Sequence, residues 1–450
     1  MIFDIEKYSK IPDGWSKVKL SELADFNANS WSKKDKPDTI NYIDISSVST
    51  GKVAEPTEMK FDSAPSRARR KVAKGDIIIS TVRPNLKQFA LLDFNNDNLT
   101  ASTGFCTITP KKTEYTWLIY SVVTTDIFTE HLVRVAQGAA YPAIKPSDIS
   151  EAYIGLPPQE ELHKLNTLIG ALWQKQTINE AMNQTLEKLA QRIFKSWFID
   201  FDPVKANKEG LPFDGLSPEI QALFPSEFED SELGMIPKGW EVSTIKQLQE
   251  KLSKGTTPRK KDVESAQDAP SIPFIKVRNI SDTGSIESEL ETVASSIHEG
   301  ALKRSILQSE DLLFTIAGTI GRVAIVPDTL NNSNCNQAVC FIRLKDKPTY
   351  NNYLYLHLKS KRIQEQISSK VVQAVQANAS LQNINDINFP LPTNKLMESW
   401  NKVTLPLFDR IKEIEKQNIT LTRLRDRLLP KLVSGQISVG EATQELAEAV

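Results

Sequence analysis

Ile11-Pro-Asp-Gly-Trp15 returns 225 residues later in the chain as Ile236-Pro-Lys-Gly-Trp240. Further landmarks follow in the same order in both halves: Tyr42-Ile-Asp-Ile-Ser-Ser-Val48 matches Phe274-Ile-Lys-Val-Arg-Asn-Ile280, Lys74-Gly-Asp-Ile-Ile-Ile-Ser-Thr81 matches Ser309-Glu-Asp-Leu-Leu-Phe-Thr-Ile316, and Ser147-Asp-Ile149 matches Asn385-Asp-Ile387. The two copies are far longer than the roughly 20–50 residues of a solenoid repeat. The ordered set therefore predicts a duplicated domain with pseudo-twofold symmetry.

Each copy has the pattern of a mixed domain. Short β-type runs are bounded by Gly, Pro and Asn, and helical stretches fall near residues 116–133 and 351–369. The β-type runs cover residues 76–79, 105–108, 311–314, 323–326 and 339–342. We therefore expect two globular α+β domains whose loops carry the polar residues.

After each copy the composition changes to that of one long helix. Apolar residues recur at coiled-coil spacing and predict a seam on each helix. The first set is Leu165, Leu168, Leu172, Leu186, Leu189 and Ile193, and the second is Trp400, Val403, Leu407, Leu421, Leu424 and Leu428. Polar residues interrupt both seams near the middle, at Lys175, Asn179, Arg410 and Gln417.

A helix of about 40 residues would be about 60 Å long. Because the two helices are equivalent by duplication, we expect them to pack antiparallel and to separate the two globular domains. The alternative is a dimerisation coiled coil. Pro406 predicts a kink or a late start in the second helix, and Pro430 predicts its end.

The domain order follows from these patterns. We predict a first globular domain over residues 1–156, a first long helix over 157–199, a linker over 200–234, a second globular domain over 235–392, a second long helix over 393–433 and a tail over 434–450. The acidic tail is expected to fray.

Bulk composition predicts a cytoplasmic protein. No apolar run approaches a membrane span, and the N-terminus has no signal-peptide pattern. The three cysteines form no disulfide framework and no metal-binding spacing, which predicts reduced thiols. The net charge is −1, so the composition does not itself indicate nucleic acid.

No catalytic motif is recognisable in the sequence. It has no dinucleotide-binding or Walker-type loop, and Asp202-Pro-Val204 does not satisfy the Asp/Asn-Pro-Pro-aromatic motif of adenine methyltransferases. The four histidines are scattered. We therefore predict no catalytic residue, no cofactor and no metal.

Basic and amide side chains cluster in loops at equivalent places in both copies, which is typical of DNA-contacting segments. The first copy offers Arg67, Arg69, Arg70, Lys71, Arg83, Asn85 and Lys87, and the second offers Lys254, Arg259, Lys260, Lys261, Arg278, Asn279, Thr319 and Arg322. The loops differ between copies while the framework is alike. This favours two modules that read different half-sites, although a solvated loop without a ligand remains the alternative for any single residue.

The ordered landmarks resemble the specificity subunits of Type I restriction-modification enzymes. The resemblance is carried by the two Ile-Pro-x-Gly-Trp starts, by Gly75-Asp76 and Glu310-Asp311, by Gly321-Arg-Val-Ala-Ile325 with Asn336-Gln337, and by the helix borders at Leu156-Pro-Pro-Gln-Glu160 and Leu429-Pro-Lys-Leu-Val-Ser-Gly-Gln-Ile437. Thr81-Val-Arg-Pro84 departs from the glycine-containing loop that is common there.

The resemblance implies two target recognition domains that each read half of a split sequence in double-stranded DNA. It also implies docking of two methyltransferase subunits, and of restriction subunits that translocate and cleave DNA. None of that chemistry would belong to this chain. A methyltransferase or nuclease, and a scaffold that binds no nucleic acid, are the competing interpretations.

Overall fold

The computed structural model describes residues 2–32, 34–286, 290–372 and 378–449. The chain forms two compact units. Unit 1 comprises Met1–Ile178 together with Gln417–Val450, and unit 2 comprises Asn179–Lys416. The unit boundaries fall inside two helices of 40 residues each, so each unit contains the first half of one long helix and the second half of the other.

Unit 1 combines small sheets with short helices. Its strands are β1 (Ser16–Lys19), β2 (Ala24–Phe26), β3 (Thr39–Ile43), β4 (Val48–Ser49), β5 (Lys52–Val53), β6 (Thr57–Lys60), β7 (Ala68–Lys71), β8 (Ile77–Ser80), β9 (Phe89–Leu91), β10 (Leu99–Ser102), β11 (Phe105–Pro110) and β12 (Tyr153–Leu156). Its helices are α1 (Leu20–Leu23), α2 (Thr116–Val123), α3 (Asp126–Val135) and α4 (Pro146–Ser150), and the first long helix, α5 (Gln159–Phe198), begins here.

Unit 2 repeats this plan. Its helices are α6 (Asp202–Glu209), α7 (Pro218–Gln221), α8 (Ile245–Leu248), α9 (Lys260–Ser265), α10 (Ser295–Glu299), α11 (Lys347–Lys359), α12 (Lys361–Val372) and α13 (Leu381–Asn385), followed by the second long helix α14 (Asn394–Val433). Its strands are β13 (Phe228–Ser231), β14 (Gly234–Pro237), β15 (Glu241–Thr244), β16 (Gln249–Lys254), β17 (Pro270–Ile275), β18 (Glu291–Ala294), β19 (Leu312–Thr315), β20 (Val323–Ile325), β21 (Asn334–Cys335), β22 (Val339–Leu344) and β23 (Asn388–Leu391). The last helix, α15 (Val439–Ala449), belongs to unit 1.

The sheets confirm the duplication predicted from the repeated landmarks. Strand order β2-β11-β8-β9 in unit 1 corresponds to β16-β22-β19-β20 in unit 2, and the antiparallel pair β1-β12 corresponds to β15-β23. The parallel pair β3-β10 likewise corresponds to β17-β21. The five β-type runs predicted from the sequence all form strands, and both predicted helical stretches fold as pairs of helices, α2-α3 and α11-α12.

The two long helices run antiparallel within each unit. In unit 1, Leu165 and Ile169 near the start of α5 share a core with Leu429 and Val433 near the end of α14. In unit 2, the ring of Phe198 at the end of α5 lies 5.0 Å from that of Trp400 near the start of α14. The helix ends are therefore part of each unit's core.

The buried stripe of α5 follows a different register from the predicted seam. Leu165 and Leu172 are buried, and Leu168, Leu186 and Ile193 are half-buried. Leu189 is 44% exposed, and the neighbouring Ala190 is buried in its place. Further buried positions on this helix are Leu162, Ile169, Gln176, Asn179, Phe194, Trp197 and Phe198.

On α14, the predicted seam residues Trp400, Leu421, Leu424 and Leu428 are buried. Val403 and Leu407 are only half-buried, since the adjacent Thr404 and Phe408 take the inner positions. A strict 3.5-residue seam drifts by about 20° per heptad against a straight helix with 3.6 residues per turn. Because these helices also pack against the sheets and short helices of their units, no supercoil needs to correct that drift.

The proline predictions for α14 are wrong in part. The helix begins at Asn394, upstream of Pro406, so Pro406 does not mark a late start. Pro406 is exposed, which places its missing hydrogen bond on the solvent side. The helix also continues past Pro430 to Val433, and it ends where Gly435 adopts a φ of 70°. A left-handed glycine just after the last turn is a common helix stop.

The predicted linker and tail are both folded. Residues 200–234 contain α6, α7 and β13, and buried Val204 and Phe224 join the core of unit 2 beside Trp197 and Trp240. In the tail, α15 buries Ala442 against Leu424, Leu428 and Leu432 of α14. The expectation of a frayed tail is therefore wrong, because the tail carries an apolar face. None of the helices in the described part of the chain is long and apolar enough to cross a membrane.

Candidate nucleic-acid interface

The basic run of unit 1 lies on and before the edge strand β7. Arg67 precedes the strand and forms an ion pair with Asp44 at 2.8 Å. A hydrogen bond with the Tyr42 hydroxyl holds the pKa of Arg67 above its ordinary value. Within the strand, Nη1 of Arg70 lies 3.4 Å from the hydroxyl of Ser30. Arg67 is thus an oriented and exposed cation.

The other two cations of this run lie on aromatic rings. The guanidinium of Arg69 lies 4.8 Å from the ring centroid of Phe61, and the ammonium of Lys71 lies 4.1 Å from that of Trp31. Lys71 also forms an ion pair with Asp35. Arg69 and Lys71 are two residues apart on a strand, so they share one face of it.

The loop after β8 carries the next three candidates. Arg83 and Lys87 both adopt a left-handed backbone conformation, each with φ of 50°, on either side of a 3-10 turn at Pro84–Leu86. Asn85 is exposed at the tip of that turn. The ammonium of Lys87 pairs with Asp126 at 2.8 Å. Such strained positions in non-glycine residues cluster at functional sites.

Backbone hydrogen bonds bring these segments of unit 1 together. The turn between β10 and β11 binds both of them, because the N–H of Thr103 donates to Arg67 O at 2.7 Å and the N–H of Thr81 donates to Gly104 O at 2.8 Å. The N–H of Ile144 in turn donates to Thr81 O at 2.9 Å. The basic run, the loop after β8 and the segment before α4 therefore adjoin one another.

In unit 2 the first four candidates lie around α9. Lys254 is the last residue of β16 and is exposed. Arg259 caps the N-terminus of α9, where its N–H donates to the Asp262 carboxylate at 3.2 Å. Lys260 and Lys261 follow in the first turn, and the Lys260 side chain is 91% exposed. These are surface cations on a short helix.

The structure separates Arg278 from its neighbour Asn279. Arg278 is exposed and forms an ion pair with Glu291. Asn279 is 4% exposed, and its side-chain oxygen accepts a hydrogen bond from the N–H of Lys276 at 2.8 Å. Asn279 therefore stabilises the turn, which removes it from the candidates for contact with a base.

Thr319 and Arg322 lie in the turn that joins β19 to β20. The hydroxyl of Thr315 holds this turn, since it donates to Thr319 O at 2.6 Å and accepts from the N–H of Arg322 at 2.8 Å. The Arg322 guanidinium is half-buried and pairs with Asp282 at 2.7 Å. The Thr319 side chain is exposed.

The candidate segments of unit 2 meet at the turn of residues 336–338. Three backbone hydrogen bonds join them to this turn and to the first residue of β22: from Asn336 to Ile275 O at 3.0 Å, from Ile316 to Ala338 O at 2.8 Å and from Gly255 to Val339 O at 2.9 Å. The N–H of Ala379 then donates to Ile316 O at 2.9 Å, which is the bond from Ile144 to Thr81 shifted by 235 residues. Each unit therefore assembles its variable loops on the same kind of scaffold.

The aspartate shared by the two copies supports that scaffold. Asp76 accepts a hydrogen bond from the N–H of Ala73, and Asp311 accepts one from the N–H of Gln308, both at 2.8 Å. Burial raises the pKa of Asp76, whereas Asp311 forms a buried ion pair with Arg343 at 2.7 Å. This motif closes the turn before a core strand.

One exposed aromatic residue beside these loops was not predicted from the sequence. Tyr141 is 69% exposed in a hairpin closed by paired backbone hydrogen bonds between Gln137 and Ala143, and the Arg83 guanidinium lies 4.7 Å from its ring centroid. A lone aromatic residue before a proline, in the turn-like stretch Gln137-Gly-Ala-Ala-Tyr-Pro142, was the available signal.

Residues that could do chemistry are either buried or dispersed. Burial lowers the pKa of His357 to about 3 and raises the pKa of Cys106 to about 12. His298 is buried, and its Nδ1 lies 2.6 Å from the side-chain oxygen of Asn334. Within the described ranges, no three His, Cys, Asp or Glu side chains are grouped as a metal site would require.

Comparison with known proteins gives consistent matches. The model of the Type I restriction modification DNA specificity domain matches the chain twice, at residues 12–189 and 237–420. The chain is 25% identical to the Type I restriction enzyme HindI specificity subunit of Haemophilus influenzae, over 93% of this chain and 97% of that one. It is 27% identical to the MjaIX specificity subunit of Methanocaldococcus jannaschii, over 82% and 79% of the two chains.

A solved structure shares the fold. The crystal structure of the Type I restriction-modification system S subunit from M. genitalium matches 94% of this chain and 96% of its own with a TM-score of 0.50, at 16% identity. The two matches to one domain model coincide with the two halves of the repeat and confirm the resemblance seen in the sequence motifs. The chain belongs to the Type I restriction-modification specificity subunits and carries two copies of their DNA specificity domain.

Proposed function

We propose that this chain is the DNA-recognition subunit of a Type I restriction-modification complex, and that each unit reads one half of a bipartite target in double-stranded DNA. The observation that carries the proposal is the repeated scaffold with unlike loops. The loop after β8 reads Ser80-Thr-Val-Arg-Pro-Asn85, whereas its counterpart reads Thr315-Ile-Ala-Gly-Thr-Ile320. Equivalent positions with different side chains suit two different half-sites.

Cations and exposed polar groups supply the DNA contacts in this proposal. In unit 1 they are Arg67, Arg69, Arg70, Lys71, Arg83, Asn85 and Lys87, and in unit 2 they are Lys254, Arg259, Lys260, Lys261, Arg278, Thr319 and Arg322. Lysine and arginine neutralise phosphates, whereas arginine and asparagine can also read guanine and adenine edges in the major groove. Each set adjoins the turn that organises its unit's loops.

We infer that the chain performs no catalysis itself and works in the cytoplasm. Its buried histidines and thiols argue against a general base or nucleophile among them. Methyl transfer would come from partner subunits. We expect two of them, because the internal duplication gives two equivalent units. Restriction subunits would add cleavage.

The exposed side of α5 in unit 2 is our candidate for docking a methyltransferase subunit. Met182 and Leu189 are 43% and 44% exposed, and seven residues place them on the same face of the helix. Apolar side chains aligned on an exposed helix face suit an amphipathic helix of a partner.

Domain exchange tests the two-reader proposal. Residues 11–155 are replaced by the equivalent segment of another specificity subunit, and methylated adenines are mapped across the genome of a host that also expresses the methyltransferase subunit. We expect one half of the methylated motif to change and the other half to persist. A change in both halves, or methylation by the purified chain alone, would contradict the proposal.

The docking surface is tested separately. The double variant M182D/L189D should lose co-purification with the methyltransferase subunit while it keeps its own fold, as judged by circular dichroism. Q184D is the matched control, because Gln184 is exposed on the opposite side of the same helix. Equal co-purification of both variants would exclude this face.

A further inference from the structure

The hairpin of residues 137–143 in unit 1 presents Tyr141 to solvent. At 69% exposure, Tyr141 is the most exposed large hydrophobic side chain in the described part of the chain. Neither the repeat nor the basic run explains it. Single exposed hydrophobic side chains are common on protein surfaces, so the exposure of Tyr141 does not by itself indicate a partner.

The hairpin holds this ring in a defined place. Its stem is closed by hydrogen bonds of 2.9 Å and 2.8 Å between the backbones of Gln137 and Ala143. Gly138 has a φ of 107°, and a Cβ at this position would lie 2.9 Å from Tyr141 O. Only glycine fits that turn without strain. The tip is therefore set by its backbone.

The loop after β8 fixes the hairpin from the other side. The N–H of Arg83 donates to Pro142 O at 2.7 Å, and its Nη2 donates to Ala140 O at 3.3 Å. The same guanidinium lies 4.7 Å from the centroid of the Tyr141 ring. Arg83 adopts a left-handed backbone conformation while it makes these contacts. Arg83 is thus a positioning residue that holds the ring by a cation–π contact.

The surroundings of the ring favour a nucleic acid. A backbone hydrogen bond between Ile144 and Thr81 brings two chain segments together. Asn85 follows Thr81 in the first segment, Lys145 follows Ile144 in the second, and both side chains are exposed. Aromatic rings stack on bases whatever the sequence, and some DNA-binding proteins insert a large apolar side chain between the base steps of a duplex. A cation beside the ring can bind the flanking phosphate.

We propose that Tyr141, positioned by Arg83, is a wedge that stacks on a base within the half-site read by unit 1. The inference rests on the proposed function, since it requires unit 1 to bind duplex DNA. It also predicts an asymmetry between the two half-sites. The residue 235 positions later is Gln376, which has no aromatic ring and lies outside the described residues.

The test uses the complex of this chain with its methyltransferase subunits and a duplex that contains the motif mapped by methylation sequencing. 2-Aminopurine replaces single bases of each half-site in turn, the methylated adenines excepted. Base flipping by the methyltransferase subunits should raise fluorescence next to the methylated adenines of both half-sites. With wild type, we expect a further rise at one or two positions of the first half-site only, where the wedge separates a base from its stacking neighbour. Y141A should abolish this rise and weaken binding about 10-fold, and Y141F should preserve both, because phenylalanine keeps the stacking face.

The R83K variant distinguishes the positioning role of Arg83 from the effect of its positive charge. Lysine keeps the positive charge but loses the planar contact with the ring, so the fluorescence rise should shrink while the slope of log affinity against log salt concentration stays unchanged. L211A, which truncates a 53% exposed side chain of unit 2, should behave as wild type. Thermal unfolding of each variant shows whether it is folded.

Failure of the proposed function and failure of the wedge proposal would give different results. Wild-type complex that does not prefer the mapped duplex over an unrelated one would overturn the proposed function. Wild-type complex that binds specifically, while Y141A binds within twofold and gives the same fluorescence, would overturn the wedge alone. A fluorescence rise that Y141A reduces equally in both half-sites would overturn it as well.

Discussion

Two carboxylates face each other on the long helices of unit 2. Burial raises the pKa of Glu415 on α14 to about 7, and the adjacent charge of Glu187 on α5 adds to this effect, while Lys412 opposes it. Glu187 also forms an ion pair with Lys359. Its carboxylate also lies 3.4 Å from the hydroxyl of Tyr355. We predict that E415Q stabilises unit 2 at pH 8 and has little effect at pH 5.

The sign follows from proton binding. A pKa of about 7 in the folded state and an ordinary value of 4.5 mean that the folded state holds this proton more tightly than the unfolded state. The free energy of unfolding therefore falls as pH rises from 4.5 through 7. The full difference corresponds to about 3.4 kcal/mol at 1.36 kcal/mol per pH unit. Most of it, roughly 2.5 kcal/mol, is lost between pH 5 and pH 8.

Urea unfolding at pH 5, 6, 7 and 8, followed by tryptophan fluorescence, measures the effect as a difference between variant and wild type. That difference should grow by roughly 2.5 kcal/mol across the series, because other titrating groups cancel in it. E413Q is the matched control, since the Glu413 side chain is 58% exposed and pairs with Arg410. Parallel pH profiles of E415Q and wild type would refute the burial argument.

Two further outcomes concern DNA. D126N removes the carboxylate that competes with phosphate for the Lys87 ammonium, so affinity for cognate and unrelated duplexes should rise by a similar small factor and the salt slope should steepen by about 1. D93N, which breaks an exposed pair elsewhere in unit 1, should leave the slope unchanged. Insertion of seven residues after both Ile178 and Lys416 changes the phase of each helix by only about 20° and lengthens it by about 10 Å, so the unread gap of the methylated motif should grow by about three base pairs. Methylation mapping checks this, and an active enzyme with an unchanged gap would show that other elements set the spacing.

The repeat was predictable because framework positions tolerate little change. Residues such as Asp76 and Asp311 close the turn before a buried strand, and a strand that is buried on both faces needs a continuous apolar run. These constraints act identically in both copies, so the landmarks survive in order. Five of the strands and both long helices could therefore be predicted from one sequence.

The register of the helix seam could not be predicted from spacing alone. Leu189 and Ala190 are adjacent, and a hydrophobic pattern favours the larger side chain for the inner position. The structure buries Ala190 and exposes Leu189, because α5 packs against more than one neighbour there. The inner position depends on the space available between elements, which periodicity does not contain.

The loops that carry the candidate residues could be predicted from the sequence, but which of these loops lie side by side in the fold could not. Arg67 and Thr81 are brought together by the turn at Thr103 and Gly104, a contact made through backbone atoms with no sequence signature. Asn279 fits the residue type for reading a base, yet its amide caps a turn. Residue type thus indicates what a side chain can bind, and only burial and partners decide whether it is available.

The near-neutral net charge of −1 has a structural counterpart at the candidate interface. Six candidate cations form ion pairs within their own unit: Arg67 with Asp44, Lys71 with Asp35, Lys87 with Asp126, Lys260 with Glu264, Arg278 with Glu291 and Arg322 with Asp282. Exposed pairs of this kind contribute about 0–1 kcal/mol each to stability, so phosphate can displace the carboxylates at low cost. Each displacement nevertheless reduces the net gain from a phosphate contact, and phosphate contacts supply essentially all of non-specific binding. We therefore expect weak binding to unrelated DNA, with discrimination dependent on base contacts from the loops that differ between the two units.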